Sequence, residues 1–174
     1  MKLDVSSILI TESQIQERVR ELGVQISMDY KTRNLMLLCV LKGAIVFFAD
    51  LIRCISIPLR CEFIQLASYD DDTAPSQLQT IQGLRTSLNH VDVLIVEDIV
   101  DTGHTLNFLV DYVKRLKPES ITVCSLLDKP SRRQVPVTID YIGFKIPNAF
   151  VVGYGLDYAQ QYRNLPYIAI FEEM

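Results

Sequence analysis

"VLIVEDIVDTGHTL", residues 93–106, decides how the rest of the chain reads. It opens as an apolar run suited to a buried strand and closes at the start of a helical pattern. Between them stand Glu97, Asp98 and Asp101 beside Thr102, Gly103 and Thr105. In an open parallel sheet, ligands bind beyond the carboxyl ends of the strands, where the following helix offers unpaired amides and the positive end of its dipole. Gly103 can take backbone angles closed to other residues, and Thr102 and Thr105 supply hydroxyl donors, so a phosphate fits this turn without any lysine. Ionised carboxylates only accept hydrogen bonds, and the vicinal hydroxyls of a ribose offer the protons they need. A sugar phosphate satisfies both halves of the stretch. An ordinary acidic turn, with Asp101 or Thr102 capping the helix, would have much the same composition. The stretch matches neither the P-loop pattern nor G-x-G-x-x-G.

The flanking sequence repeats the alternation of strand and helix. "TESQIQERVRELGVQIS", 11–27, places Gln14 three residues after Thr11 as in a capping box, then sets Ile15, Val19, Leu22 and Ile26 on one helical stripe. "NLMLLCVLKG", 34–43, reads as a strand buried on both faces, "AIVFFADLIRCI", 44–55, as a helix stopped before Pro58, and "RCEFIQLA", 60–67, as a strand. From Ser68 to about His90 the periodicity fades into a long loop with room for one extended segment, and a loop of that length in a compact domain is usually functional. "TLNFLVDYVKRLK", 105–117, is a helix ended by Pro118, and "SITVCSLLD", 120–128, another strand. The last third is strand-rich. The expected class is an α/β domain whose mostly parallel central sheet is flanked by helices.

Size and charge narrow the partners. A chain of 174 residues suits one domain, 1–174. A net charge of -4 provides no general attraction to nucleic acid or to an anionic membrane, so neither is expected as a partner, and an anion must be held by local geometry. No apolar run approaches the length of a membrane span, and "MKLDVSSILI" lacks the core of a signal peptide; a cytoplasmic protein is expected. Cys39, Cys54, Cys61 and Cys124 mostly sit in apolar runs and read as buried, reduced thiols, while two histidines make a zinc site improbable.

With these residues in view, the chain resembles the type I phosphoribosyltransferases, and within them the hypoxanthine-guanine branch. "VLIVEDIVDTGHTL" is similar to the family's donor motif, two acids followed by D-T-G-x-T. The likeness extends to "VLKGA" at 40–44, "SY" at 68–69, "LLDKP" at 126–130 and "IPNAFVVGYGLDYAQQYRNLPYI" at 146–168, the purine-side signature. It implies the type I fold with a small strand-rich hood, built from the N-terminal segment and roughly 144–174, and a mobile lid over roughly 67–85. It implies transfer of the phosphoribosyl group of 5-phospho-α-D-ribose 1-diphosphate to a 6-oxopurine, with Mg2+, by a homodimer or homotetramer.

The resemblance also gives each motif a role. Glu97 and Asp98 would hold the ribose hydroxyls, and Asp101, Thr102, Gly103, His104 and Thr105 would wrap the 5′-phosphate, His104 through its backbone amide. Asp101 would accept the purine proton. Lys129 would donate to the purine O6, Phe150 would stack on the ring, and Val151 and Asp157 would offer backbone groups to the base edge. Lys42, Gly43 and Arg163 would bind pyrophosphate, with the Leu41–Lys42 peptide cis or able to become so. Asp157, Glu97 and Asp98 would face the metal. Ser68 and Tyr69 would close the lid, although Asp70, Asp71 and Asp72 stand where relatives commonly carry a glycine. Two other readings remain open: a nucleotide-sensing regulator on the same fold, and an enzyme preferring xanthine.

Overall fold

The computed structural model describes residues 7–69, 77–82, 84 and 87–171. Its elements run β1 (Ile8–Ile10), α1 (Glu12–Asp29), β2 (Leu35–Leu41), α2 (Ile45–Cys54), β3 (Arg60–Tyr69), β4 (Gln77–Gln82), β5 (Asp92–Val100), α3 (His104–Arg115), β6 (Ser120–Asp128), β7 (Tyr141–Lys145), β8 (Val151–Val152) and β9 (Ile168–Ile170). Six strands form the main sheet in the order β4-β3-β2-β5-β6-β7, parallel except for β4. A second, three-stranded antiparallel sheet joins β1 to β9 and β9 to β8.

Alternation along β2 explains why it lies at the centre. Leu35, Leu37 and Cys39 pack into a cluster with α1 and α2, while Met36, Leu38 and Val40 pack into a second cluster with α3. Every side chain of the strand except that of Leu41, which is half-buried at its carboxyl end, is buried, as a parallel sheet covered on both faces requires. Full burial of each such leucine stabilises the fold by about 1.5–3 kcal/mol. The expected stripe of α1 is buried as Ile15, Val19, Leu22 and Ile26, and its capping box forms: Thr11 N–H donates to Gln14 Oε1 at 2.9 Å while Gln14 N–H donates to Thr11 Oγ1 at 3.4 Å.

Three sequence expectations change. Strand β3 runs past its expected end at Ala67 to Tyr69 and pairs with β4, the one extended segment for which the stretch after Ser68 left room, Ser68 opposite Leu78 and Tyr69 opposite Gln77. Asp70, Asp71 and Asp72 lie outside the described residues. Strand β5 continues to Val100, so Glu97 and Asp98 belong to the strand rather than to the turn. Of the four free cysteines Cys39 and Cys124 are buried, but Cys54 is half-buried and Cys61 exposed near the start of β3. None of the described helices is long and apolar enough to cross a membrane.

Candidate active site

The carboxyl ends of β2 and β5 open into a cavity of about 380 Å³. Glu97, Asp98, Asp101, Thr102, Gly103 and Thr105 line it, with Leu41 and Gly43 from β2 and the turn after it. The opening stretch therefore forms one wall of a single concavity. Its turn is set by Gly103, which caps α3 in the left-handed region at φ 93° and makes no side-chain cap. Neither Asp101 nor Thr102 caps the helix, as an ordinary acidic turn would have it. This leaves the Thr102 and Thr105 side chains at the cavity wall. The His104 ring is tied away, its Nε2 lying 3.1 Å from Gln134 Oε1.

Opposite this wall stands the peptide after β2. The Leu41–Lys42 bond is cis, and Lys42 is exposed between Leu41 and Gly43. Gly43 has no room for a side chain, because a Cβ there would fall on the Asp98 carboxylate; a Cβ on Gly155 would fall on the Gly43 carbonyl oxygen. Three segments distant in sequence thus meet, Gly155 against the Gly43 backbone and Gly43 against the Asp98 side chain. Gly155 belongs to the stretch 153–162, where Gly153, Tyr154, Gly155, Ala159, Gln160 and Tyr162 all have positive φ. So tight a winding returns Arg163 to the same place: its guanidinium pairs with Asp157 at 2.7 Å and donates to the Gly155 carbonyl at 2.6 Å.

The electrostatics follow from burial. Glu97 is held well above its ordinary pKa, first by desolvation and then by the neighbouring Asp98 charge. Burial pushes the Asp98 carboxyl up to about 6, against its backbone hydrogen bonds and the attraction of Arg163, with Asp157 adding to the rise. Two acids so placed share a strong tendency to keep a proton until something cationic or a hydrogen-bond donor arrives. Among the described residues no group of three His, Cys, Asp or Glu side chains forms a ready metal cluster.

A second group gathers where β6 ends. Lys129 is buried, its N–H donating to the Val100 carbonyl at 3.0 Å, which sets it beside the Asp101 turn. Desolvation pulls the Lys129 ammonium below its ordinary pKa, while Asp101 draws it back up. Phe150 is 51% exposed, unusual for so large an apolar ring. It makes edge-to-face contacts with Tyr158 and Phe171, whose rings stack 4.4 Å apart, so one side of it is held by an aromatic cluster. Val151 is buried in β8 opposite Ile170. The backbone of Ser68 and Tyr69 lies at the far end of β3.

The sequence reading missed several contributors. Arg132 Nε donates to Asp101 Oδ1 at 3.1 Å, Arg133 donates to the Asp101 carbonyl at 2.8 Å, and Gln134 and Val135 N–H groups both reach the Thr102 carbonyl. The signal was present as "RR" at 132–133, but two adjacent arginines after a proline look like a solvated turn.

The fold and this cavity define a class, an α/β domain with an acid-lined cavity at the carboxyl edge of its parallel sheet. A family model for the phosphoribosyl transferase domain matches residues 8–159. The chain belongs to that family, in its hypoxanthine-guanine branch. It is 45% identical over 173 residues to the hypoxanthine-guanine phosphoribosyltransferase of Bacillus subtilis, covering 99% of this chain and 96% of that one. It is 46% identical to the bifunctional protein TilS/HprT of Listeria innocua, of which it spans 27% while 99% of this chain is covered. The crystal structure of a hypoxanthine-guanine phosphoribosyltransferase from Bacillus anthracis, with a HEPES molecule in its active site, superposes with a TM-score of 0.92 at 42% identity, covering 98% of this chain and all of that one. The type I fold expected from the sequence is the fold observed.

Proposed function

We propose that this chain transfers the phosphoribosyl group of 5-phospho-α-D-ribose 1-diphosphate to hypoxanthine or guanine, giving IMP or GMP and pyrophosphate. One observation carries the reading: a cavity whose wall carries both paired acids and a glycine-capped helix start, with a buried lysine at the next strand end. The helix start and the hydroxyls of Thr102 and Thr105 take the 5′-phosphate. Glu97 and Asp98 accept from the ribose hydroxyls. Lys42, Gly43 and Arg163 meet the diphosphate. Phe150 offers its exposed face to the purine, whose edge meets the Val151 and Asp157 backbone, and Lys129 donates to O6.

In the reaction the bond from the anomeric carbon to the diphosphate oxygen breaks, its electron pair leaving with pyrophosphate, and a bond to the purine nitrogen forms. Asp101 takes the proton that the purine gives up, a general-base role worth about 10²- to 10⁴-fold in rate. Lys129 accounts for selectivity, because a donor facing the 6-amino group of adenine would stay unpaired in a buried site. The oxygen donors of Glu97, Asp98 and Asp157 suit Mg2+, which prefers phosphate, hydroxyl and water oxygens to a complete protein cage. When bound, that ion neutralises charge on the leaving diphosphate. Asp157 already pairs with Arg163, which supports contact through water.

The hood of the N-terminal segment and roughly 144–174 and a lid over roughly 67–85 complete this single unit, Ser68 and Tyr69 closing it over the diphosphate. Free thiols at all four cysteines support a cytoplasmic setting. Exposed Ile45 at the start of α2, and exposed Phe63 of β3 packed on Phe48 of α2, support a homodimer or homotetramer. A product assay with donor, magnesium and each of hypoxanthine, guanine, xanthine and adenine tests the proposal. Nucleotide is expected with hypoxanthine, guanine or both, and adenine is expected to fail. Absence of product with both of the first two would end this reading.

A further inference from the structure

The ladder between β5 and β6 ends at the pair Val100 and Asp128, after which the two chains part, one toward the Asp101 turn and the other toward Lys129. Arg133 spans the gap. Its Nη1 donates to the Asp101 carbonyl at 2.8 Å, its Nη2 pairs with the Asp128 carboxylate, and its side chain is only 18% exposed. Its stem also lies against the turn, Cδ being 3.2 Å from where a Cβ on Gly103 would stand. A guanidinium is a rigid planar fork, so two bonds made to two diverging strands fix the distance between them.

We infer that Arg133 is a positioning residue that clips the end of β5 to the end of β6 and so sets the spacing between Asp101 and Lys129. This rests on the proposed function, in which those two residues bracket the purine, one at the proton it loses and the other at O6. Spacing between a fixed acceptor and a fixed donor is then what measures the base. The pyrophosphate end, built from Gly43 and Arg163, lies outside the clip and is insensitive to it.

Arg133→Met alone strands the buried Asp128 carboxylate and endangers folding, so it is paired with Asp128→Asn, which removes both charges. Arg133→Lys serves as the conservative variant, since one ammonium cannot fork. In the double variant kcat/KM for hypoxanthine should fall about 10- to 100-fold, as misplacement of reacting groups produces. The ratio of hypoxanthine to adenine use should fall at least about fivefold, and Arg133→Lys should lie between. Pyrophosphate affinity should stay within about twofold, because that end makes no contact with the clip. Hydrogen exchange of the amides of 101–103 should quicken about tenfold while β2 is unchanged. Kinetics and selectivity within about twofold of the parent, or unchanged exchange at 101–103, would overturn the clip. A parent without transfer activity but with the exchange response would instead overturn the proposed reaction and leave the clip standing.

Discussion

Replacing Gly103 by alanine tests the central turn at its tightest point. Two costs add. At φ 93° any residue with a Cβ is strained, by about 1–2 kcal/mol. The new Cβ would also lie 2.7 Å from the Val135 carbonyl oxygen, short of the 3.4 Å at which ordinary contact begins, so turn and segment must separate by about 0.7 Å. Both groups are backbone and neither can swing aside, which places the overpacking cost at about 1–3 kcal/mol. The sum, about 2–5 kcal/mol, converts to a fall in Tm of roughly 4–20 °C for a chain of this size. Because the moving atoms include those proposed to hold the 5′-phosphate, kcat/KM for the diphosphate donor should fall about 10- to 100-fold. Differential scanning fluorimetry and initial rates read the two effects. Gly103→Asn separates their causes, since asparagine tolerates the left-handed region yet carries the same Cβ. It should recover less than half of the lost stability. A Gly103→Ala protein that melts within about 2 °C of the parent and keeps its donor kinetics would refute the reasoning.

Asp101→Asn should keep the parent Tm while slowing nucleotide formation about 10²- to 10⁴-fold in rapid-mixing assays; parent rates would remove its assigned role. Lys129→Ala should raise KM for 6-oxopurines by the equivalent of about 1–3 kcal/mol with little effect on donor binding, and equal losses in both would contradict its pairing with O6. The raised Asp98 carboxyl predicts a pH effect on folding. The unfolded chain ionises first as pH rises through its ordinary range near 4, and the folded chain follows only at about 6. Stability from this group is therefore greatest at low pH and is lost between those values, Glu97 acting in the same direction. Urea midpoints across that window should decline with pH, and Asp98→Asn should flatten the slope; an identical slope in the variant would deny Asp98 its part. Donor binding, which calls for ionised acids, should weaken in isothermal titration as pH drops below 6.

Local pattern alone determined the capping box of α1, the doubly buried β2 and the helix after Gly103, because propensity and periodicity act within a few residues. The lining of the cavity was legible for the same reason: the acids, hydroxyls and glycine of 97–105 are contiguous. What tertiary structure decided is everything that depends on distances between separate strand ends. Lys129 became a buried partner of the Asp101 turn only when β6 paired beside β5. Gly43, Asp98 and Gly155 acquired their shared constraint only when three distant segments met, leaving no space for a Cβ at either glycine. Arg132 and Arg133 carried no assigned role in the sequence, and only the fold turned them onto Asp101 and Asp128. The pairing of Tyr69 with Gln77 likewise extended a strand beyond the point where periodicity had faded. Sequence encodes the period of each element directly, whereas closeness between elements arises only when burial of the apolar faces fixes the strand order.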